Sequence, residues 1–269
     1  MNKSKCFFAV LLMLVCASVW AQKDAAYWQG RAVSLSETDD DGEYYIYSPK
    51  YEMFLGRGND WGTRATLDYQ GLTWTIASVG DGIYTLKNTS RDGHALGYLY
   101  IDQDDESLGW VYTNTTDLTK ASTKWTIAPV DGRQNTYTIR SSQGCYLFRS
   151  ADGTTIDKTT SIGNGDDKFY WLFIPKTSRE STDDATMDNP IDVTYYIYDQ
   201  NMDYYGGEAA NSGRGHWVAN YGSPNWKGGI GWNTCAEVWN GTFDVNQTLA
   251  VPNGIYRLKV QGFYRMGKD

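Results

Sequence analysis

The stretch Leu72–Asn88 reads LTWTIASVGDGIYTLKN: a tryptophan, a β-branched run, an acidic-glycine turn and a second β run. Branched and flat side chains fit a pleated surface. Asp81-Gly82 supplies the positive-φ positions that a tight hairpin needs. The stretch therefore predicts a strand, a turn and a strand. The phrase returns as KWTIAPVDGRQNTYTIR at Lys124–Arg140, with its turn at Asp131-Gly132, and as a half-copy, KFYWLFIPK, at Lys168–Lys176. Trp74, Trp125 and Trp171 head the three copies, 51 and 46 residues apart. A recurring period of this size marks internal repetition.

Working outward, the segments between the tryptophans divide in the same way. EYYIYS (Glu43–Ser48), EMFLGRG (Glu52–Gly58) and ATLDYQG (Ala65–Gly71) precede the first tryptophan strand. IYTLKN (Ile83–Asn88), ALGYLYI (Ala95–Ile101) and LGWVY (Leu108–Tyr112) precede the second. TYTIRS (Thr136–Ser141), CYLFRS (Cys145–Ser150) and TTIDK (Thr154–Lys158) precede the third. Three units of four short strands describe a β-trefoil, placed here at residues 22–177, whose repeats share a core that a lone unit could not build. Period-2 alternation sends Trp74 and Ile76 inward, and Tyr137 and Ile139 likewise. A plain β-sandwich is the main rival.

Composition agrees with an all-β chain. The 269 residues include 28 Gly, 11 Trp, 21 Tyr and 8 Phe, and no amphipathic helix stands out after the first 25 or so. The formal charge is -8, with no basic stripe, which argues against a nucleic-acid partner. Met1–Ala21 reads as an export leader: Lys3 and Lys5, an apolar core at Phe7–Val15, and Val19-Trp20-Ala21 before Gln22. That core is too short to span a membrane, and no other span is expected. Lipidation at Cys16 is the alternative. The expected location is secreted or periplasmic, with the cell surface as a further option. Only Cys145 and Cys235 follow the leader, so there is no disulfide scaffold; two buried thiols or one interdomain bridge both remain open.

Residues 178–190 (within TSRESTDDATMDNP) are polar, charged and poor in apolar side chains, as a linker should be. From 191 to 269 a second module begins. HWVANY, the Phe243/Val245 run, and Tyr256, Leu258 and Val260 alternating with Arg257, Lys259 and Gln261 all read as strand.

Both modules resemble known families. Trp74, Trp125 and Trp171, each closing a unit, resemble the ricin-type lectin trefoil, whose repeats carry Gln-x-Trp. Here Leu72, Thr123 and Phe169 stand two places before the tryptophans, so the resemblance is one of architecture. Phe54–Gly71 looks like a trefoil-like module of large exported proteins from gut and oral Bacteroidetes, which stands beside sugar-active or adhesive domains. Asn220, Trp226, Cys235–Trp239, Phe243–Leu249 and PNGIYRLKVQGFYR resemble the galactose-binding-like jelly roll of carbohydrate-binding modules, here incomplete. The two resemblances imply a non-catalytic carbohydrate-binding accessory region. A structural, adhesive or protein-binding module without a sugar ligand is the alternative.

The residues themselves give no enzyme signature. Carboxylates are abundant, but none sits in a catalytic phrase. Sugar binding needs a flat ring for the C–H face of a pyranose and polar neighbours for its hydroxyls. The loop candidates are Trp61 with Asn59, Asp60 and Arg64; Trp110 with Asp104 and Asp105; and Trp217, Asn225, Trp226 and Trp232 in the second module. No cofactor is expected beyond a structural calcium. Asp199, Asn201, Asp203 and Glu208 offer hard oxygen ligands at alternating positions, and Asp102, Asp104 and Glu106 are a weaker set. A glycan or a surface protein is the expected partner.

Overall fold

A computed structural model describes residues 23–35, 42–58, 63–89, 96–151, 153–163, 165–188, 190–197, 217–221, 225–230, 233–238 and 241–260. The leader segment lies outside them. A short helix, α1 (Ala25–Gln29), comes first, and Asp24 caps it by accepting from Tyr27 N at 2.8 Å.

Three four-stranded units follow. The first holds β1 (Glu43–Ser48), β2 (Met53–Gly58), β3 (Arg64–Asp68) and β4 (Thr73–Gly80). The second holds β5 (Ile83–Asn88), β6 (Tyr98–Ile101), β7 (Val111–Thr115) and β8 (Trp125–Pro129). The third holds β9 (Tyr137–Ser141), β10 (Tyr146–Arg149), β11 (Ile156–Thr159) and β12 (Leu172–Pro175). The first and fourth strands of each unit pair antiparallel around a closed ring, β1-β4-β5-β8-β9-β12 and back to β1. The second and third strands form the hairpins β2-β3, β6-β7 and β10-β11, which cap one end of that barrel. This is the β-trefoil expected from the three tryptophan phrases. The β4-β5 turn has positive φ at both Asp81 (53°) and Gly82 (71°), as a type I′ hairpin requires.

The core lies inside the barrel and under the cap. Trp74, Trp125 and Trp171 are at most 1% exposed. Each faces a small polar residue that ends the first strand of the following unit: Trp74 opposite Asn88, Trp125 opposite Ser141, and Trp171 continuing the register that pairs Leu172 with Tyr47, next to Ser48. Trp125 Nε1 donates to Leu99 O at 3.0 Å and Trp171 Nε1 to Leu147 O at 3.4 Å. The first unit breaks the pattern. Its equivalent carbonyl, Leu55 O, already accepts Leu72 N at 2.9 Å. Trp74 Nε1 is buried with no acceptor among the described residues.

A second cluster packs on the outer face of β1 and β12, on residues that alternate with the inward-facing Tyr44, Ile46 and Phe173. Trp28 of α1 packs with Tyr45, Tyr47, Phe54, Leu172 and Ile174. The segment after β12, read from sequence as the start of the polar linker, folds back here as α2 (Lys176–Arg179). The guanidinium of Arg179 is 4.9 Å from the Phe54 ring and 5.5 Å from those of Trp28 and Tyr45. Beyond it, Glu180 accepts from Tyr45 OH at 2.8 Å, and Asp184 pairs with Arg31 at 3.0 Å.

After the trefoil, β13 (Val218–Tyr221) pairs with β16 (Asp244–Asn246), and β14 (Asn225–Ile230) pairs with β15 (Asn233–Glu237). The β13-β16 ladder falls on the strands expected at HWVANY and at Phe243 and Val245, whereas Leu249 and Val251, expected to continue the second of these, form no strand, and β14 and β15 were not expected as strands. The strand expected over Tyr256–Val260 does not form. Ile255, Leu258 and Val260 are 74–83% exposed, and residues 247–260 carry no regular structure. Alternation alone makes no strand; a neighbouring edge must supply the hydrogen bonds and a face to bury against.

Candidate functional site

Among the described residues, two of the expected sugar-binding side chains meet on the cap. Trp110 leads into β7 and Arg64 opens β3. Arg64 pairs with Tyr112 across the two hairpins, so residues of the first and second units come side by side. The Arg64 guanidinium lies 3.7 Å from the centroid of the Trp110 ring, a stacked cation–π contact. Trp110 remains 47% exposed. The pleat of β7 sends Val111 and Thr113 inward, 1% and 0% exposed, and leaves Trp110 and Tyr112 on the outer side. Tyr112 continues the row to Tyr100, 6.1 Å away, with Lys120 Nζ 5.0 Å from the Tyr100 ring. Burial, and then the nearby Asp102 carboxylate, raise the Tyr100 hydroxyl above its usual pKa. Lys158 of β11, from the third unit, brings its ammonium within 5.8 Å of Trp110.

The loop that carries Trp110 is pinned. Asp102 Oδ1 accepts Trp110 N at 2.6 Å, while Asp102 N donates to Trp110 O at 3.1 Å. Glu106, 1% exposed, accepts from Ser142 Oγ at 2.7 Å and Gln143 N at 3.0 Å. Gln143 Nε2 donates in turn to Asp104 O at 2.6 Å. The β6-β7 loop is thereby clamped to the β9-β10 turn of the next unit. Asp105 serves its own turn: the Ser107 hydroxyl and then the Ser107 amide hold its carboxyl below the ordinary carboxylate range.

These contacts revise two expectations. Trp110 was to be flanked by Asp104 and Asp105, but its bonded partner is Asp102. Asp102, Asp104 and Glu106 do not converge as calcium ligands: the Asp102 and Glu106 carboxylates hold protein donors, Asp104 contributes its main-chain carbonyl to Gln143, and no group of three His, Cys, Asp or Glu side chains converges among the described residues. Cys145 is a buried free thiol, and burial pushes its pKa up. Asn59, Asp60, Trp61 and Trp232, and the proposed calcium ligands Asp199, Asn201, Asp203 and Glu208, lie outside the described residues. Asn225 and Trp226 belong to β14, with their side chains outside the description. Trp217 is half-buried just before β13. Sequence reasoning did not single out Lys158, which it read only as the end of the TTIDK strand, nor Glu106 as a clamp.

No protein-family model matches the chain, and no curated protein does. Solved structures with a similar fold include Cry35Ab1 (14% identity, TM-score 0.42, covering 52% of this chain and 37% of that one). A Polyporus squamosus lectin, solved bound to a human-type influenza-binding epitope, has 17% identity and a TM-score of 0.41, covering 51% of this chain and 50% of that one. A Macrolepiota procera ricin B-like lectin in complex with lactose has 17% identity and a TM-score of 0.40, covering 51% and 98%. The chain thus spans about a third of Cry35Ab1 and half of the Polyporus lectin. The fold assignment rests on the strand pairing itself.

Proposed function

We propose that the trefoil is a non-catalytic carbohydrate-binding module of an exported protein, with Trp110 as the floor of its site. The supporting observation is a tryptophan held half-exposed by a buried carboxylate clamp. What sets this ring apart is its support: three hydrogen bonds to the next unit fix the loop around it, so its apolar surface is held ready for a ligand to cover. Arg64 covers one face of the ring. The open part, continued by Tyr112 and Tyr100, offers flat surface for sugar C–H groups, and Arg64 and Lys120 supply donors for hydroxyls. Preorganisation lowers the ordering entropy lost on binding.

The larger setting belongs to the same proposal: export through Met1–Ala21 to the periplasm, medium or cell surface; a galactose-binding-like jelly roll begun by the second module; a multidomain parent of the Bacteroidetes type; and a structural calcium in the Asp199–Glu208 loop. A protein-binding role is the second reading, favoured by the exposed Ile255, Leu258 and Val260. A glycan array probed with the chain from Gln22, with and without calcium, tests the first. Binding that Trp110→Ala abolishes supports it. A folded sample that binds no glycan removes it in favour of the second.

A further inference from the structure

The hairpin registers align Lys158 with buried apolar or neutral positions in the other repeats. Leu147 pairs with Lys158 in β10-β11, as Leu55 pairs with Leu67 in β2-β3. In β7 the corresponding inward residue, two after Val111, is Thr113. Leu67 is 1% exposed and Thr113 0%. The third unit puts a lysine there, with its side chain only 8% exposed. A lysine stem can lie along apolar surface, but its ammonium must then surface or find a partner. The carboxylate facing it, Asp157 Oδ1, is 3.7 Å away, beyond hydrogen-bond range, and that same oxygen accepts Lys158 N at 2.8 Å. The contact with Asp157 is thus an ion pair without a hydrogen bond, and it leaves the ammonium 5.8 Å from the Trp110 ring, where Arg64 already stacks. Among the described residues, three acids of the Trp110 loop already hold protein donors: Asp102 takes Trp110 N, Glu106 takes Ser142 and Gln143, and Asp105 takes Ser107.

We propose that Lys158 and Arg64 make the Trp110 platform selective for an acidic saccharide, one that carries a carboxylate or sulfate on an otherwise neutral glycan. The proposal rests on the carbohydrate reading of this site. The ring takes the sugar face, and the two cations, drawn from the first and third repeats, take the anionic substituent. The chain's net charge of -8 disfavours a polyanion. A single charge is different, because distant acids are screened beyond about 8 Å at physiological salt.

The test is affinity for matched glycan pairs, identical but for a terminal carboxylate or sulfate, measured on the wild-type chain at low and high salt. The acidic member should bind about tenfold or more tightly at low salt, and the ratio should collapse toward one near 0.5 M salt. Lys158→Met, an unbranched replacement for a buried stem, should shrink that ratio, as should Arg64→Lys, which keeps charge but loses the planar fork; circular dichroism checks that each variant is folded. Equal or weaker binding of the acidic member overturns the proposal and leaves the carbohydrate reading standing. Failure of both members to bind removes the two together.

Discussion

Replacing each core tryptophan by phenylalanine should cost different amounts, in an order that the hydrogen bonding sets. All three rings are buried to within 1%, so the loss of indole volume is common to the three variants. Trp125→Phe also strands the Leu99 carbonyl, which now accepts Nε1 at 3.0 Å. An orphaned buried acceptor costs roughly 1–3 kcal/mol. Trp171→Phe strands Leu147 O, but from a longer bond of 3.4 Å, so its extra cost is smaller. Trp74→Phe strands nothing. It removes a buried N–H that has no acceptor among the described residues and so recovers a desolvation penalty. Trp125→Phe should therefore exceed Trp74→Phe by about 1–3 kcal/mol, with Trp171→Phe between them. In urea, with a slope of about 1–3 kcal/mol per molar, that gap separates the two midpoints by roughly 1 M. Near-ultraviolet circular dichroism, which reports packed aromatics, is the observable. Equal midpoints, or Trp74→Phe as the most damaging change, would refute the reasoning.

Further outcomes follow from other buried groups. Glu106→Ala leaves Ser142 Oγ and Gln143 N without their charged acceptor, and should destabilise the trefoil by about 2–4 kcal/mol while loosening the Trp110 loop, read by denaturation and by faster amide exchange at 102–110. Arg179→Ala removes a cation set among three rings and its bond to Tyr69 O; a loss of about 1–3 kcal/mol is expected, and proteolysis after Arg31 should speed up. Burial, and then the Glu52 and Asp24 carboxylates, raise the Tyr47 hydroxyl above its usual pKa. A raised folded-state value gives stability that is full below the unfolded pKa near 10 and lost as pH rises past it, so the fold should weaken in alkali. Tyr47 OH has no partner among the described residues, and Tyr47→Phe should therefore be near neutral at pH 7 and flatten that alkaline loss in a melting series.

The barrel was legible because its code is local. Trp74, Trp125 and Trp171 mark the fourth strands, and EYYIYS and IYTLKN coincide with β1 and β5 residue for residue. The site was only half legible. Arg64 and Trp110 were each marked as candidates, but in separate loops; the β3-β7 pairing that joins them runs between units and leaves no trace in either loop. Glu106 stood out only as a weak calcium ligand within the acidic run DQDDES, whereas its burial depends on the turn at Ser142 and Gln143. Lys158 needed the hairpin registers before its place opposite Leu147 could be seen. Tyr256, Leu258 and Val260 show the opposite case, a clear alternation that pairs with no strand among the described residues and stays exposed.

The most direct measurement is calorimetric titration of one array-positive glycan into the wild-type chain, Trp110→Ala and Tyr69→Ala. Tyr69, 57% exposed and in the β3-β4 connection, is the control aromatic. The account predicts that Trp110→Ala loses about fivefold or more in affinity, since stacking on such a ring is worth about 1–3 kcal/mol, while Tyr69→Ala binds as wild type. Undiminished binding by a folded Trp110→Ala chain would contradict it.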